Sequence, residues 1–274
     1  MTTTEPGPVA APPRSGGRAW PATIAILAAI AGLLVTQVAI GTAVGQRLDE
    51  RATDTVVAGR DTQLAVLSLL GYVSIGAIAL VTVVSVGLAL ARGNVRLAVA
   101  AVAVVAGANV STQVLKHVVL DRADLIGGIA APNSLPSGHT TVVAAGVGAL
   151  LLTSPGWLRS LLVPAGAFAV GLTGTSTVVA GWHRPSDVIV ALAVTLAWTA
   201  GAAAWVGGQR RIGVESIVLA IIGSAAALLA LVAIGVRPSY GWDGFFDAAV
   251  VLAVVSAMVA LFTAAVAVTA PDQP

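Results

Sequence analysis

Two histidines and their neighbours carry the chemistry open to this sequence. His183 lies four residues before Asp187 in Gly181-Trp182-His183-Arg184-Pro185-Ser186-Asp187. Pro185 suits the first position of a helix, which puts Asp187 in its first turn. A carboxylate there can hold one ring nitrogen, fix the imidazole tautomer and leave the other nitrogen as base or nucleophile. A capping aspartate beside an interfacial histidine would read the same. His139 stands in Pro136-Ser137-Gly138-His139, directly ahead of an almost wholly apolar run from Thr140 to Thr153. Pro136 can set the first turn of that helix, and Gly138 lets backbone come close to a ligand. The unpaired N–H groups and partial positive charge of a helix start favour a phosphate, with Ser137, Gly138 and His139 around it. The plainer alternative is an N-cap at a membrane surface.

A third group lies upstream. Asn109, Gln113 and Lys116 fall at steps of four and three, so they share a helix face. Lys116 can snorkel to water from a helix end, and Arg122 would by itself belong to an ordinary solvated loop, Asp121-Arg122-Ala123-Asp124. Taken together, the pieces offer two histidines, a carboxylate beside one of them, fixed cations and a helix N-terminus. That set suits phosphoryl transfer. Cations and backbone N–H groups hold the equatorial oxygens, one histidine attacks in line, and the other protonates the leaving oxygen. Neither a carboxylate cluster nor a cysteine site for a divalent metal is apparent, so the fixed cations take that role and no cofactor is expected.

The elements that must position these residues are membrane helices. Of 274 residues, 57% are hydrophobic and only 9% charged, against roughly 25% charged in soluble domains. The mean hydropathy is +0.96. With no cysteine in the chain, disulfides and thiolate catalysis are excluded. The net charge is only +2 and the basic residues are scattered, so no nucleic-acid partner is indicated. Eight apolar segments have about the length needed to cross the ~30 Å hydrocarbon layer. They are 20–44, 63–91, 95–120, 137–153, 158–179, 187–206, 214–236 and 245–270, the fourth being the shortest. The expected fold is therefore all-α, a polytopic membrane helix bundle. Residues 1–19 read as a disordered cytoplasmic tail instead of a cleaved leader, 20–206 as a six-helix core, and 207–274 as a two-helix C-terminal extension beyond a basic linker.

Basic residues divide evenly between the two sides until Lys116, Arg122 and Arg184 are discounted as functional. The remaining excess then places both termini in the cytoplasm. Lys116 closes the third segment, Pro136–His139 opens the fourth, and His183–Asp187 lies between the fifth and sixth. All three pieces then emerge on one face, the extracytoplasmic one.

Lys116 with Arg122, then Pro136-Ser137-Gly138-His139, then His183 with Asp187 resembles the three-part signature of the type 2 phosphatidic acid phosphatase family. The resemblance covers roughly 95–206. It implies a six-helix core that removes phosphate from lipid phosphates without metal, through a phosphohistidine. It further implies His183 as nucleophile, Asp187 as its orienting partner and His139 as general acid. Lys116, Arg122, Ser137 and Gly138 would hold the phosphate. Two departures stand out. Arg122 comes one residue early and is followed by Ala123 where the family has proline. Thr177 stands where the family carries an arginine six residues before the histidine. Arg184 is the candidate to replace that cation.

The expected partners are the membrane and a lipid phosphate or diphosphate within it, of the polyprenyl diphosphate, phosphatidic acid or phosphatidylglycerol phosphate class. A phosphotransferase would use the same residues. A lipid-binding or transport protein would also place polar groups at helix ends, although transporter sites usually lie at the bilayer midplane. Oligomeric state is not written in the sequence.

Overall fold

The computed structural model describes residues 17–58, 63, 75–127, 133–208, 213–233 and 244–271. The N-terminal tail to position 16, most of 59–74, and the basic pair Arg210-Arg211 lie outside these residues. The described chain is helical, with no strand among the described residues. Its helices are α1 (Ala19–Gly41), α2 (Ala43–Val56), α3 (Ile75–Leu90), α4 (Val95–Val114), α5 (Gly138–Thr153), α6 (Gly156–Val179), α7 (Pro185–Val206), α8 (Val214–Ala233) and α9 (Phe245–Thr269). A π-helical turn, Leu115–Val119, prolongs α4.

Six of these helices are long and apolar enough to cross a membrane: α1, α4 with its π turn, α6, α7, α8 and α9. The sequence led us to expect eight spans. Of the other two, α5 has 16 residues, about 24 Å of helix, while α3 is described only from Ile75, the earlier part of the expected segment 63–91 lying outside the described residues. For α5 the short length has a structural setting. It packs against α3, α4, α6 and α7, so its ends are surrounded by protein, where backbone groups can find partners that lipid cannot offer.

Small side chains allow the helices to approach closely. On α1 the buried residues include Ala28, Gly32, Thr36 and Ala39, a stripe at helical spacing, while Ile26, Leu33 and Leu34 of the same helix stay exposed. That division fits a helix with one face on protein and the other on lipid. The helices α8 and α9 share one apolar cluster with the preceding bundle. Ala144, Val163, Val170 and Leu192 lie in it beside Ala220, Val255, Val259 and Phe262. At the α6–α8 crossing, a Cβ on Gly223 would sit 2.1 Å from the Pro164 carbonyl oxygen, so only glycine fits.

Arginines pin the helix ends at one end of the bundle. Arg92 donates to the Thr153 carbonyl, Arg96 to that of Trp205, and buried Arg159 to those of Leu151 and Pro271. The three motifs lie at the other end, together with α2.

The α2 helix has no counterpart among the eight expected segments. Thr42 separates it from α1 and accepts the Gly45 N–H as its N-cap. Its buried face carries polar residues. Gln46 and Asp49 are buried, whereas Val44 and Leu48 are exposed. Arg47, Arg51 and Asp54 are exposed beside Val44 and Leu48, so the outer face is mixed, while the inner face makes polar contacts with the motif loops.

Candidate active site

The third motif is built at the junction of α6 and α7. Gly181 takes a left-handed φ of 71°, which ends α6 and turns the chain toward α7. The N–H groups of Trp182 and His183 both donate to the Thr177 carbonyl. Arg184 is extended (φ −85°, ψ 159°) as the N-cap of α7, and Pro185 takes the first helical position. Asp187 then reaches back across the first turn. Its Oδ2 accepts from His183 Nδ1 at 2.9 Å, from the Arg184 N–H at 3.0 Å and from Ser134 Oγ at 2.6 Å. A carboxylate only accepts, so this bond puts the proton on Nδ1 and leaves the lone pair on Nε2. Asp187 is 1% exposed and His183 7%.

The second motif docks on the third. The Ser137 N–H donates to the Asp187 carbonyl at 3.0 Å, and Ser134 bridges Asp187 and Arg184, accepting from Arg184 Nη1 at 3.1 Å. Ser137 is the N-cap of α5; its Oγ accepts from the Thr140 hydroxyl at 3.0 Å and is fully buried. Pro136 was expected inside the first turn of this helix. It instead precedes the N-cap, after a cis peptide bond from Leu135. Gly138 opens the helix, and a Cβ there would meet only the Gln113 amide nitrogen at 3.8 Å, which leaves room above it. His139 follows, half-buried, with its ring centroid 5.6 Å from that of Trp182.

The first motif comes from the end of α4. Lys116 lies in the π turn, a local widening of the helix that recurs at functional sites. Asn133 Nδ2 donates to the carbonyls of Lys116 and Leu120, tying this turn to the second motif. Lower down, the hydroxyls of Thr112 and Thr141 meet at 2.9 Å and join α4 to α5. Arg122 is almost buried and pairs with Glu50 of α2 at 3.2 Å. Asn109, which shares a face with Lys116 in sequence, bonds back to the Val105 carbonyl within its own helix.

All eight residues singled out for chemistry (Lys116, Arg122, Ser137, Gly138, His139, His183, Arg184 and Asp187) thus lie at one end of the bundle. Thr177 is fully buried, with its hydroxyl on the Gly174 carbonyl. Arg184 points to Ser134 and, at 3.8 Å, to Glu50. An open cleft of about 360 Å³ is lined by Glu50, Thr53, Asp54, Ser134, His183 and Arg184, among others. Among the described residues, no group of three or more His, Asp or Glu side chains is arranged to hold a metal.

Sequence reasoning missed Ser134 and the polar face of α2. Gln46, 1% exposed, donates to the carbonyls of Ala123 and Ile40 and accepts the Leu125 N–H, so it clamps the loop carrying Arg122. Asp49 accepts both the N–H and the hydroxyl of Ser186 in the first turn of α7. The signal was present: Gln46, Asp49, Glu50 and Thr53 recur at helical spacing and form one polar face.

Residues 97–211 match the model of the PAP2 superfamily, the family that the three motifs resemble. No curated protein and no solved structure matches the chain. The matched span holds all three motifs but neither α1, α2 and α3 nor α8 and α9.

Proposed function

We propose that this chain, whose span 97–211 is of the PAP2 superfamily type, is an integral membrane phosphatase acting on a lipid phosphate or diphosphate through a phosphohistidine. The observation that carries the reading is the His183–Asp187 pair. Asp187 holds Nδ1–H and leaves Nε2 with its lone pair, and His183 lines a cleft together with Arg184. In this mechanism Nε2 attacks phosphorus, a P–N bond forms, and the P–O bond to the lipid breaks. The leaving oxygen takes its proton from His139. Asp187 stabilises the imidazolium that develops, in the way a carboxylate supports histidine in hydrolytic triads. Water, giving its proton to His139, then cleaves the P–N bond and releases inorganic phosphate. Lys116, Arg122 and Arg184 hold the equatorial oxygens with the N-terminus of α5, supplying by fixed cations the charge stabilisation that a metal would otherwise give.

A lipid substrate fits a site at the end of a helix bundle, where a head group can enter from the interface while its chains remain in the bilayer. By the charge distribution of the loops, this end faces away from the cytoplasm. The test is phosphate release from phosphatidic acid, phosphatidylglycerol phosphate and a polyprenyl diphosphate, using purified protein in detergent with a chelator present. Hydrolysis of at least one is expected. A folded protein that releases phosphate from none would overturn the reading.

A further inference from the structure

Glu50 occupies an unusual position. Its Oε1 lies 3.2 Å from Nη2 of Arg122 and 3.8 Å from Nη2 of Arg184, so one carboxylate oxygen is shared by two guanidinium groups. The arginine side chains are 5% and 12% exposed, while that of Glu50 is 38% exposed. The cations are therefore fixed in the protein, and the anion reaches them from the open side. Glu50 also lines the cleft that contains His183. It belongs to α2, outside the span that matches the family model.

Two nearly buried arginines without a counter-anion would carry a large desolvation cost, and a resident carboxylate offsets it. A phosphoryl group offers the same arginines more oxygens and more charge. Both anions cannot use the inner faces of the two guanidinium groups together. We propose that Glu50 is a displaceable counter-anion that holds the two arginines between turnovers and is exchanged for a phosphoryl oxygen when substrate binds. This rests on the reading of Arg122 and Arg184 as phosphate ligands. It makes Glu50 a residue that sets affinity. The carboxylate competes with substrate on entry and with inorganic phosphate on release, returning to the arginines as the product leaves.

The experiment is calorimetric titration of inorganic phosphate into the purified full-length protein in detergent. Glu50→Gln keeps the shape and removes the charge. It should tighten phosphate binding by roughly three- to tenfold, the range that two partly exposed ion pairs allow. The inhibition constant of phosphate in the hydrolysis assay should fall by the same factor. In a background carrying Arg122→Gln and Arg184→Gln, the substitution should change phosphate binding little, because the competition has lost its object. Glu50→Asp, one methylene shorter, should give a smaller tightening and serves if Glu50→Gln does not fold. Phosphate binding that is unchanged or weaker in both variants overturns the proposal, even where the wild type hydrolyses lipid phosphates. Tightening in a protein that hydrolyses nothing would uphold the proposal and discard the phosphatase reading.

Discussion

Asp49 of α2 accepts two hydrogen bonds from Ser186, one from its backbone N–H at 3.1 Å and one from its hydroxyl. Ser186 immediately precedes Asp187, so a helix outside the family-matched span caps the helix whose first turn holds His183. The contact has a measurable electrostatic consequence. Burial raises the Asp49 pKa above its ordinary value, and the charge of Asp187 adds to this. The two bonds from Ser186 and the charge of Arg184 oppose it. A carboxyl group whose folded pKa lies above its unfolded one costs nothing well below the unfolded value, near 3.9. It withdraws stability as the pH climbs through the folded value. Asp49→Asn removes that dependence. Its melting temperature relative to wild type should therefore rise between pH 4 and pH 8. An offset that stays constant over this range would mean that the ionisation of Asp49 is not linked to folding.

The clamp made by Gln46 predicts a second effect. Gln46→Ala would leave the Ile40 carbonyl at the end of α1, and the Ala123 carbonyl and Leu125 N–H of the Arg122 loop, without this partner, at about 1 kcal/mol for each bond that water does not replace. The melting temperature should fall, and limited proteolysis should cut near Ala123 more readily. A variant with wild-type stability and an equally protected loop would show that water replaces the amide at no cost.

Arg184 offers a test of how the site manages without the family arginine. Thr177 is buried with its hydroxyl already bonded, whereas Arg184 is turned to Ser134 at the edge of the cleft. If Arg184 holds the phosphoryl group, Arg184→Ala should lower kcat/KM on a short soluble phosphate ester by about 10²-fold, as removal of an anion-stabilising donor does. Near-normal turnover would leave Arg184 a head-group anchor at the interface.

Much of this site was legible in sequence, because its chemistry is encoded locally. A histidine four residues before an aspartate, with proline between them, is a helix-start geometry whatever surrounds it. A small polar cluster ahead of an apolar run, marking the start of a helix near Ser137, is another. The helical membrane class followed from composition. What escaped was set by tertiary packing. The α2 helix turns Gln46 and Asp49 inward while Leu48 stays exposed beside Arg47 and Arg51, so no apolar stripe marks it as a helix. The count of eight spans rested on apolar length, and the fourth segment was the shortest of them. The 16-residue α5 is shorter because it packs among other helices. Pro136 was misplaced because proline fits both the first turn of a helix and the loop ahead of it, and here Ser137 after it is the N-cap.

Orientation can be read with single cysteines in this cysteine-free chain. Ala123 is exposed at the motif end, and Gly156 is exposed at the other, with nothing within 4 Å of its Cβ position. On intact cells, Ala123→Cys should react with an impermeant thiol reagent and Gly156→Cys should not. The reverse labelling would put the site on the cytoplasmic face.

The most direct test is to look for phosphate on His183. Purified protein mixed with a ³²P-labelled phosphate ester that has a good leaving group, then quenched in alkali, should carry acid-labile label on His183. His183→Ala should carry none and release no phosphate. His139→Ala should still be labelled with such a leaving group, which needs no proton to depart, and should hold the label longer because water is not activated. Equal labelling of wild type and His183→Ala, or phosphate release that survives the loss of His183, would contradict the assignment of His183 as the nucleophile.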